Sequence, residues 1–405
     1  MMKPEDFVSS KVKDMPFSGI RKFFDVANEI EGVISLGVGE PDFDTPWSVR
    51  ERAIYTLEKG KTVYTSNAGL MELRTGVSDY LFDRLGVRYI PKTELIITVG
   101  ASEAIDLAFR ATLNPGDEVI VPEPSFVCYK NIVELADGIP VVLDTKAENN
   151  FKITAEELVE KITDKTKAII LPYPNNPTGA LMEKEDLAKI VEVLKDKDIL
   201  VISDEIYSEL TYGGKKHASI ASFDGMRDKT IVINGFSKSY AMTGWRLGYA
   251  AGPAPIISAM TKVHQYAIMC APTTSQWAAV EAIRNCDDSI DNMRKEYDMR
   301  RRVMRKGFLD MGLDCFDAEG AFYLFPSIES TGLSSDEFCE RLLFEEKVAV
   351  VPGTAFGKCG EGHIRCSYAY SIDEIKKALK KIAHFVEKVR NEKMYDELVK
   401  LIKEA

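Results

Sequence analysis

One lysine of this chain lies where its amine could act as a nucleophile or as a proton carrier. Lys238 follows the β-branched run at residues 231–233 and an Asn-Gly pair, and serines 237 and 239 flank it. A lysine on a loop that leaves a buried strand can be held in a dry pocket. Desolvation there lowers its pKa and frees the amine for Schiff-base chemistry. A solvated loop lysine is the ordinary alternative, so this prediction depends on the residues that accompany Lys238.

Two consecutive acids, Asp204 and Glu205, follow the apolar run at residues 199–202 and Ser203. Side chains alternate between the two faces of a strand, so only one of these acids can face a site. A carboxylate at the end of a buried strand is costly unless it meets a positive charge. Two interpretations of this motif are open. The acid that faces the site could pair with a cationic ligand, or the acidic strand end could cap the next helix.

A third motif could bind an anion. The apolar run 95–99 predicts a buried strand, and the small residues Gly100, Ala101 and Ser102 then open a helix over residues 103–112. At such a turn the free N–H groups and the positive end of the helix dipole point outward together. Plain helix capping by small residues remains open as the alternative.

The elements around these motifs predict an α/β fold. Strands alternate with helices through residues 95–250, which favours a mainly parallel sheet with helices on both faces. Active sites of such sheets form at the carboxyl ends of the strands, where most of the residues named above lie. Beyond residue 252 we expect long helices, short strands at 321–325 and 348–353, and an amphipathic helix from residue 372, with a second short helix from residue 394.

Composition narrows the class of protein. The chain has 405 residues, 45% of them hydrophobic, and a net charge of -11, which together predict more than one domain and argue against a nucleic-acid partner. The first residues lack the apolar core of a signal peptide, and no run is long enough to cross a membrane, so we expect a cytoplasmic protein. Seven scattered cysteines and four distant histidines predict reduced thiols and no metal site.

Residues 236–249, F-S-K-S-Y-A-M-T-G-W-R-L-G-Y, resemble the lysine loop of fold-type-I aminotransferases of classes I and II, which use pyridoxal 5'-phosphate (PLP). Further matches to this family are G-E-P-D-F-x-T-P at 39–46, Y-x-x-x-x-G-x-x-x-L-R at 64–74, N-P-T-G at 176–179, D-E-x-Y at 204–207 and H-x-R-x-S-Y at 363–368. The resemblance spans nearly the whole chain, and the ordered set is specific although each motif alone is not.

The resemblance implies a large PLP-binding domain with a mainly parallel seven-stranded sheet flanked by helices, and a smaller α+β domain made of both termini. We expect an N-terminal arm with part of the small domain at residues 1–46, the large domain at 47–285 and the C-terminal small domain at 286–405. It also implies a homodimer with shared active sites.

Roles toward the cofactor follow from the resemblance. Lys238 would hold PLP covalently, Asp204 would meet its ring nitrogen, and Tyr207 and Asn176 would meet its ring oxygen. The aromatic that stacks on the ring would be Phe126, with Tyr129 as the competitor. The residues implied at its phosphate are Gly100, Ala101, Ser102, Ser237 and Arg246, together with Tyr64 of the neighbouring subunit. The family's further phosphate-binding serine is replaced by Gly235.

The resemblance implies that Arg365 binds the substrate α-carboxylate, with Asn176 and Gly39 beside it. We expect Phe17, Ile20 and Phe126 to form an apolar pocket suited to aromatic or aliphatic side chains. The expected activity is a ping-pong aminotransferase in amino-acid metabolism. It would move the amino group of an aspartate-type, aromatic or aliphatic L-amino acid to a 2-oxo acid such as 2-oxoglutarate. A carbon-sulfur β-lyase is the alternative within the fold. A more remote alternative is a non-enzymatic regulator, which would carry a basic DNA-binding module that the arm at residues 1–30 does not provide.

Overall fold

A computed structural model describes residues 3–13, 15–17 and 30–404. Its strands are β1 (Ile34–Ser35), β2 (Leu95–Thr98), β3 (Glu118–Glu123), β4 (Ile139–Asp144), β5 (Thr166–Leu171), β6 (Leu200–Asp204), β7 (Thr230–Gly235), β8 (Gly248–Ala251), β9 (Tyr323–Leu324), β10 (Val348–Ala349), β11 (Val351–Pro352) and β12 (Ile364–Ser367). Its α-helices are Ser10–Lys13, Trp47–Glu58, Met71–Leu85, Ala101–Thr112, Cys128–Leu135, Ala155–Lys161, Lys184–Leu194, Ala254–Ala267, Thr273–Asn285, Asp287–Asp310, Ser335–Glu346 and Ile372–Glu404.

The central sheet has seven strands in the order β2-β8-β7-β6-β5-β3-β4. Only β8 runs against the others, since it pairs antiparallel with both β2 and β7. The inner strands β5, β6 and β7 are buried along almost their whole length, which explains why they read as apolar runs without alternation. The predicted α/β fold with a mainly parallel seven-stranded sheet is confirmed.

Helices cover both faces of the sheet. On one face, the helices Ala101–Thr112 and Ala254–Ala267 pack on the sheet around Ile105, Phe109 and Met260. On the other face, the helix Lys184–Leu194 packs around a separate cluster. The sheet is thus buried between two layers, and its carboxyl ends form the open edge where a site can lie.

The last part of the chain forms its own core with a short piece of the beginning. The helices Asp287–Asp310 and Ile372–Glu404 enclose a cluster of aromatic and aliphatic side chains that also includes Leu36. Strand β1 pairs in parallel with β10, which brings residues 34–35 to this part of the fold. The division into domains at residues 46 and 285 stays a prediction.

Some local expectations need correction. The C-terminal region is one helix, Ile372–Glu404, and not two. It contains no Gly or Pro that would end it, and Lys388 and Glu392 support it as an i,i+4 pair. The strand expected at 321–325 is limited to β9, and the run 348–353 divides into β10 and β11, which join different sheets. The helix expected within residues 16–30 lies mostly outside the described residues.

None of the described helices is both long enough and apolar enough to span a membrane.

Candidate active site

A cavity of about 360 Å³ opens at the carboxyl ends of β2, β3, β5, β6 and β7. Most of the residues predicted for the site line it: Gly39, Ala101, Ser102, Phe126, Asn176, Asp204, Tyr207, Ser237, Lys238, Arg246 and Arg365. The remaining lining residues are Val38, Glu40, Ile105, Tyr129, Pro172, Pro174, Ile206, Thr243 and Tyr323. Segments that are far apart in sequence therefore meet at the sheet edge that the alternation of strands and helices indicates.

The amine of Lys238 lies inside the cavity, where its Nζ donates to the backbone carbonyl of Gly39 at 2.6 Å. Desolvation lowers the pKa of Lys238 to about 8; the carboxylate of Glu40 opposes this shift, while Arg365 and Arg246 add to it. A substantial part of the amine is therefore unprotonated near pH 8, as nucleophilic or proton-carrying chemistry requires.

Asp204 is the acid that faces the cavity. Its Oδ2 accepts from the hydroxyl of Tyr129 at 2.8 Å, and its Oδ1 accepts from the backbone N–H of Ile206 at 3.2 Å. Burial raises the pKa of Asp204 to about 6, although both hydrogen bonds act in the opposite direction. An ionised Asp204 thus presents a poorly compensated negative charge, which a cationic ring nitrogen would stabilise.

Glu205 belongs to a different set of contacts. Its Oε1 accepts from the hydroxyls of Ser203 at 2.8 Å and Ser219 at 2.6 Å, and its Oε2 lies 2.9 Å from Nε2 of His217. None of these partners of Glu205 lines the cavity. The two consecutive acids are therefore separated, as the alternation of side chains along a strand predicts.

An anion-binding cradle forms one end of the cavity. The helix Ala101–Thr112 begins there, after Gly100 at φ 81°. A Cβ at Gly100 would come within 2.8 Å of Nη2 of Arg246, so the guanidinium lies against the start of the helix. Ser237 and Ser102 add hydroxyls to the same cavity. Free N–H groups, a helix dipole and a guanidinium together suit a phosphate group.

Arg365 lies on β12 and is only 2% exposed. Its Nη1 donates to Oδ1 of Asn176 at 2.8 Å, and its Nη2 donates to the carbonyl of Gly37. Its Nε is buried and has no hydrogen-bond partner among the described residues. An unpaired guanidinium N–H in the cavity wall leaves a donor for a carboxylate ligand.

Tyr323 and Thr243 line the cavity without a role predicted from the sequence, and Tyr129 lines it although the sequence predicts it only as the alternative to Phe126. Tyr323 has its hydroxyl 2.9 Å from that of Tyr207, and the hydroxyl of Thr243 donates to Oε1 of Glu40. The signal in the sequence that could indicate Tyr323 is a polar group within an apolar strand. A buried tyrosine hydroxyl usually has a hydrogen-bond partner. The place of Tyr129 close to Phe126 in the sequence indicates a residue near the site. It does not indicate the hydrogen bond from the Tyr129 hydroxyl to Asp204.

Some predicted site residues do not line the cavity of this chain. Phe17 is completely exposed and Tyr64 is 78% exposed. Gly100 borders the cavity through its contact with Arg246 without lining it. Ile20 lies outside the described residues. The roles predicted for all of the site residues stay predictions.

One group of potential metal ligands lies apart from the cavity. Oxygen atoms of Glu123 and Asp144 and the sulfur of Cys359 lie within 4.8 Å of one another. The ammonium of Lys130 already pairs with Glu123 at 3.0 Å. A neighbouring cation thus already balances part of the charge of this cluster.

The sheet and the cavity together define an α/β protein in which a buried lysine of lowered pKa shares one cavity with a cradle suited to an anion. Residues 31–382 match the family model for aminotransferases of class I and II. YugH of Bacillus subtilis (strain 168), which is named provisionally as an aminotransferase, is 53% identical over 382 residues, 94% of this chain and 99% of YugH. An aspartate aminotransferase of Pyrococcus abyssi is 46% identical over 93% of this chain and 96% of its own length.

Among solved structures, the aromatic aminotransferase of Pyrococcus horikoshii OT3 superposes with a TM-score of 0.87 at 44% identity, covering 90% of this chain and 99% of that one. The chain therefore belongs to the class I and II aminotransferases, and it is a transaminase.

Proposed function

We propose that this protein binds PLP and uses it to move the α-amino group of an L-amino acid to a 2-oxo acid such as 2-oxoglutarate, in a ping-pong cycle. The observation that carries the proposal is the position of Lys238 within a single cavity, with Asp204 and Arg365 in its walls. The amine, the acid and the guanidinium correspond to the three chemical needs of an amino acid reacting on a pyridine cofactor.

The residues present fit PLP. Arg246, the start of the helix Ala101–Thr112 and Ser237 offer donors to its phosphate, and Asp204 offers a buried carboxylate to its ring nitrogen. Asn176 and Tyr207 offer polar groups to its ring oxygen. When bound, PLP supplies an electron sink that makes the α-proton of the amino acid acidic.

The chain's own side chains then bind, orient and carry protons. Arg365 binds the α-carboxylate with two of the guanidinium N–H groups that its protein contacts leave free, with Asn176 beside it. Lys238, whose pKa is about 8, accepts the α-proton on Nζ and can return it to a neighbouring carbon. Asp204 stays ionised beside a cationic partner, which keeps the electron sink effective.

The cavity offers apolar side chains to a substrate. Val38, Ile105 and Phe126 are among the residues that line it. Among the described residues that line the cavity, the cations are Lys238, Arg246 and Arg365, and each already has a task. We infer that aromatic and aliphatic amino acids are good donors, and that any preference for dicarboxylates depends on groups outside this set.

A homodimer is part of the proposal. Tyr64 and Val63 are 78% and 74% exposed, and Tyr266 is 87% exposed. Asn67 donates to the carbonyl of Met269 at 2.9 Å, so the segments that carry these residues lie side by side. An exposed group of large apolar side chains is typical of a subunit interface, and across it Tyr64 would reach the cofactor phosphate of the partner subunit.

We also place the protein in the cytoplasm. All seven cysteines are unpaired, which is the usual state in a reducing compartment.

A visible absorption spectrum, recorded before and after addition of single L-amino acids without a 2-oxo acid, tests the proposal. We expect a PLP band that bleaches as the cofactor is aminated, and the rates of bleaching rank the donors. A band that persists while pyruvate accumulates from cystathionine would favour a β-lyase. A protein that shows no band after incubation with PLP would refute the proposal.

A further inference from the structure

Tyr323 contacts two residues of the predicted site, Arg365 through its ring and Tyr207 through its hydroxyl. On the small sheet, Tyr323 of β9 lies opposite Ser367 of β12 in an antiparallel pair. Arg365 precedes Ser367 by two residues, so its side chain projects from the same face of the sheet as that of Tyr323. Arg365 and Tyr323 are therefore diagonal neighbours across the strand pair. The guanidinium carbon of Arg365 lies 4.6 Å from the centroid of the Tyr323 ring. The ring is thus a wall against which the predicted carboxylate-binding group rests.

The other end of the same side chain meets Tyr207. The two hydroxyl oxygens are 2.9 Å apart, and both rings are buried. The Tyr323 hydroxyl also comes so close to Gly39 that a Cβ there would collide with it. Because the carbonyl of Gly39 accepts from Lys238, the hydroxyl of Tyr323 lies next to the residue that contacts the reactive amine.

We propose that Tyr323 is a positioning residue with two separable roles: its hydroxyl directs the proton of Tyr207 toward the cofactor, and its ring holds Arg365 in place for the substrate carboxylate. This inference rests on the proposed function. A hydroxyl has one proton, so if Tyr207 donates to the cofactor's ring oxygen, Tyr323 must supply the proton of the bond between them. Donation by Tyr323 then strengthens the donation by Tyr207.

Arg365 has a second aromatic neighbour, since its guanidinium carbon also lies 4.8 Å from the centroid of Phe356. Phe356 does not line the cavity, whereas Tyr323 does. A guanidinium is weakly hydrated and stacks well on aromatic faces. Loss of the Tyr323 ring would therefore free Arg365 to move on the side where the substrate binds.

The role of the hydroxyl is tested with Tyr323→Phe, Tyr207→Phe and the double variant. The readout is the pH midpoint at which the visible band of the bound cofactor changes, measured without substrate. Each loss of donation destabilises the negative ring oxygen, so we expect Tyr207→Phe to raise the midpoint and Tyr323→Phe to raise it less, by roughly half a pH unit. The double variant should match Tyr207→Phe alone, because both act through one hydrogen bond. An unchanged midpoint in Tyr323→Phe, or fully additive shifts, would overturn this role.

The role of the ring is tested by comparing Tyr323→Leu with Tyr323→Phe. The readout is the dissociation constant of an α-methyl amino acid, which binds but has no α-proton to lose, followed through the cofactor band. We expect about tenfold weaker binding for Tyr323→Leu and a change within about twofold for Tyr323→Phe, which keeps the ring. Phe308→Leu is the control, because Phe308 is fully buried in the same cluster and does not line the cavity.

Equal binding by the two Tyr323 variants, or an equal loss in Phe308→Leu, would overturn the role of the ring. The hydroxyl test uses only Tyr-to-Phe changes, so it remains decisive if Tyr323→Leu does not fold. If the wild-type protein takes up PLP and responds to amino acids but both Tyr323 tests fail, this inference alone is refuted. A wild-type protein that fails to do so refutes the proposed function instead.

Discussion

The hydroxyl of Tyr129 donates to Oδ2 of Asp204 at 2.8 Å, in the wall of the cavity that contains Lys238. This bond lowers the pKa of Asp204 against the larger effect of burial, which raises it. Tyr129 therefore helps to keep the acid ionised, the form in which it can pair with a cationic ring nitrogen. The relationship leads directly to a prediction about pH.

Replacing Tyr129 by Phe should raise the pKa of Asp204, because the hydrogen bond to the ionised form is lost. We expect the acidic limb of the pH profile of kcat/KM to move upward by up to about one unit. Tyr173→Phe is the control, since its hydroxyl donates to the carbonyl of Phe151 away from the cavity. Identical acidic limbs in wild type and Tyr129→Phe would show that the bond does not tune Asp204.

Asp204 should also make the stability of the cofactor-free protein depend on pH. Its folded-state pKa of about 6 lies above the ordinary value of 3.8, so the folded state holds the proton more readily than the unfolded state does. Ionisation of the buried group therefore costs stability progressively as pH rises from about 4 to about 6, and the full cost is present above that range.

Asp204→Asn removes that cost. We compare the free energies of unfolding of variant and wild type, measured with urea without PLP. The difference in favour of the variant should be about 1 to 2 kcal/mol larger at pH 8 than at pH 5. Asp310→Asn, at an exposed i,i+4 pair with Lys306, is the control. A difference between variant and wild type that stays constant with pH would contradict the raised pKa.

Lys238→Ala should abolish turnover and remove the absorption band of covalently held PLP, because no other amine lines the described cavity. Lys195→Ala removes an exposed lysine that pairs with Glu192 and should leave both readouts unchanged. Activity is measured as amino transfer, and the band by a visible scan. A Lys238→Ala protein with an ordinary rate would eliminate the central assignment.

Arg365→Lys should raise KM for the amino acid by about ten- to a hundredfold while PLP stays bound. Lysine keeps the charge but loses the planar fork that binds a carboxylate with two hydrogen bonds. Arg341→Lys, at a partly exposed pair with Glu345 and Glu392, is the matched control. If KM is unchanged in Arg365→Lys, the α-carboxylate binds elsewhere.

Tyr64→Phe should weaken PLP binding about fivefold in a dimer, through loss of one hydrogen bond to the phosphate across the interface. The affinity is measured by equilibrium titration of the cofactor-free protein, with Tyr55→Phe, another exposed tyrosine, as control. Sedimentation gives the state of assembly in the same samples. A monomer that retains PLP as tightly as wild type would refute a role for Tyr64 across subunits.

Much of the fold follows from local patterns. The apolar runs that became β5, β6 and β7 are uninterrupted because both faces of the sheet are covered, and the helices between them have the expected places along the chain. The separation of Asp204 from Glu205 also follows from the two-residue period of a strand. The extent of the C-terminal helix does not follow from the sequence, because nothing local indicates whether a polar amphipathic run continues or stops.

Residue types and their order along the chain already indicate the chemistry: a lysine after a buried strand, an acid at the end of another, small residues that open a helix, and the ordered motifs that resemble one family. The contact of Tyr129 with Asp204 and the position of Tyr323 between Tyr207 and Arg365 follow only from the folded arrangement of the chain. Those contacts join residues that are 42 or more positions apart, and they depend on strand register and on the packing of separate elements. Local periodicity carries no information about such contacts, because it reports which face a side chain occupies and not which distant residue it will face.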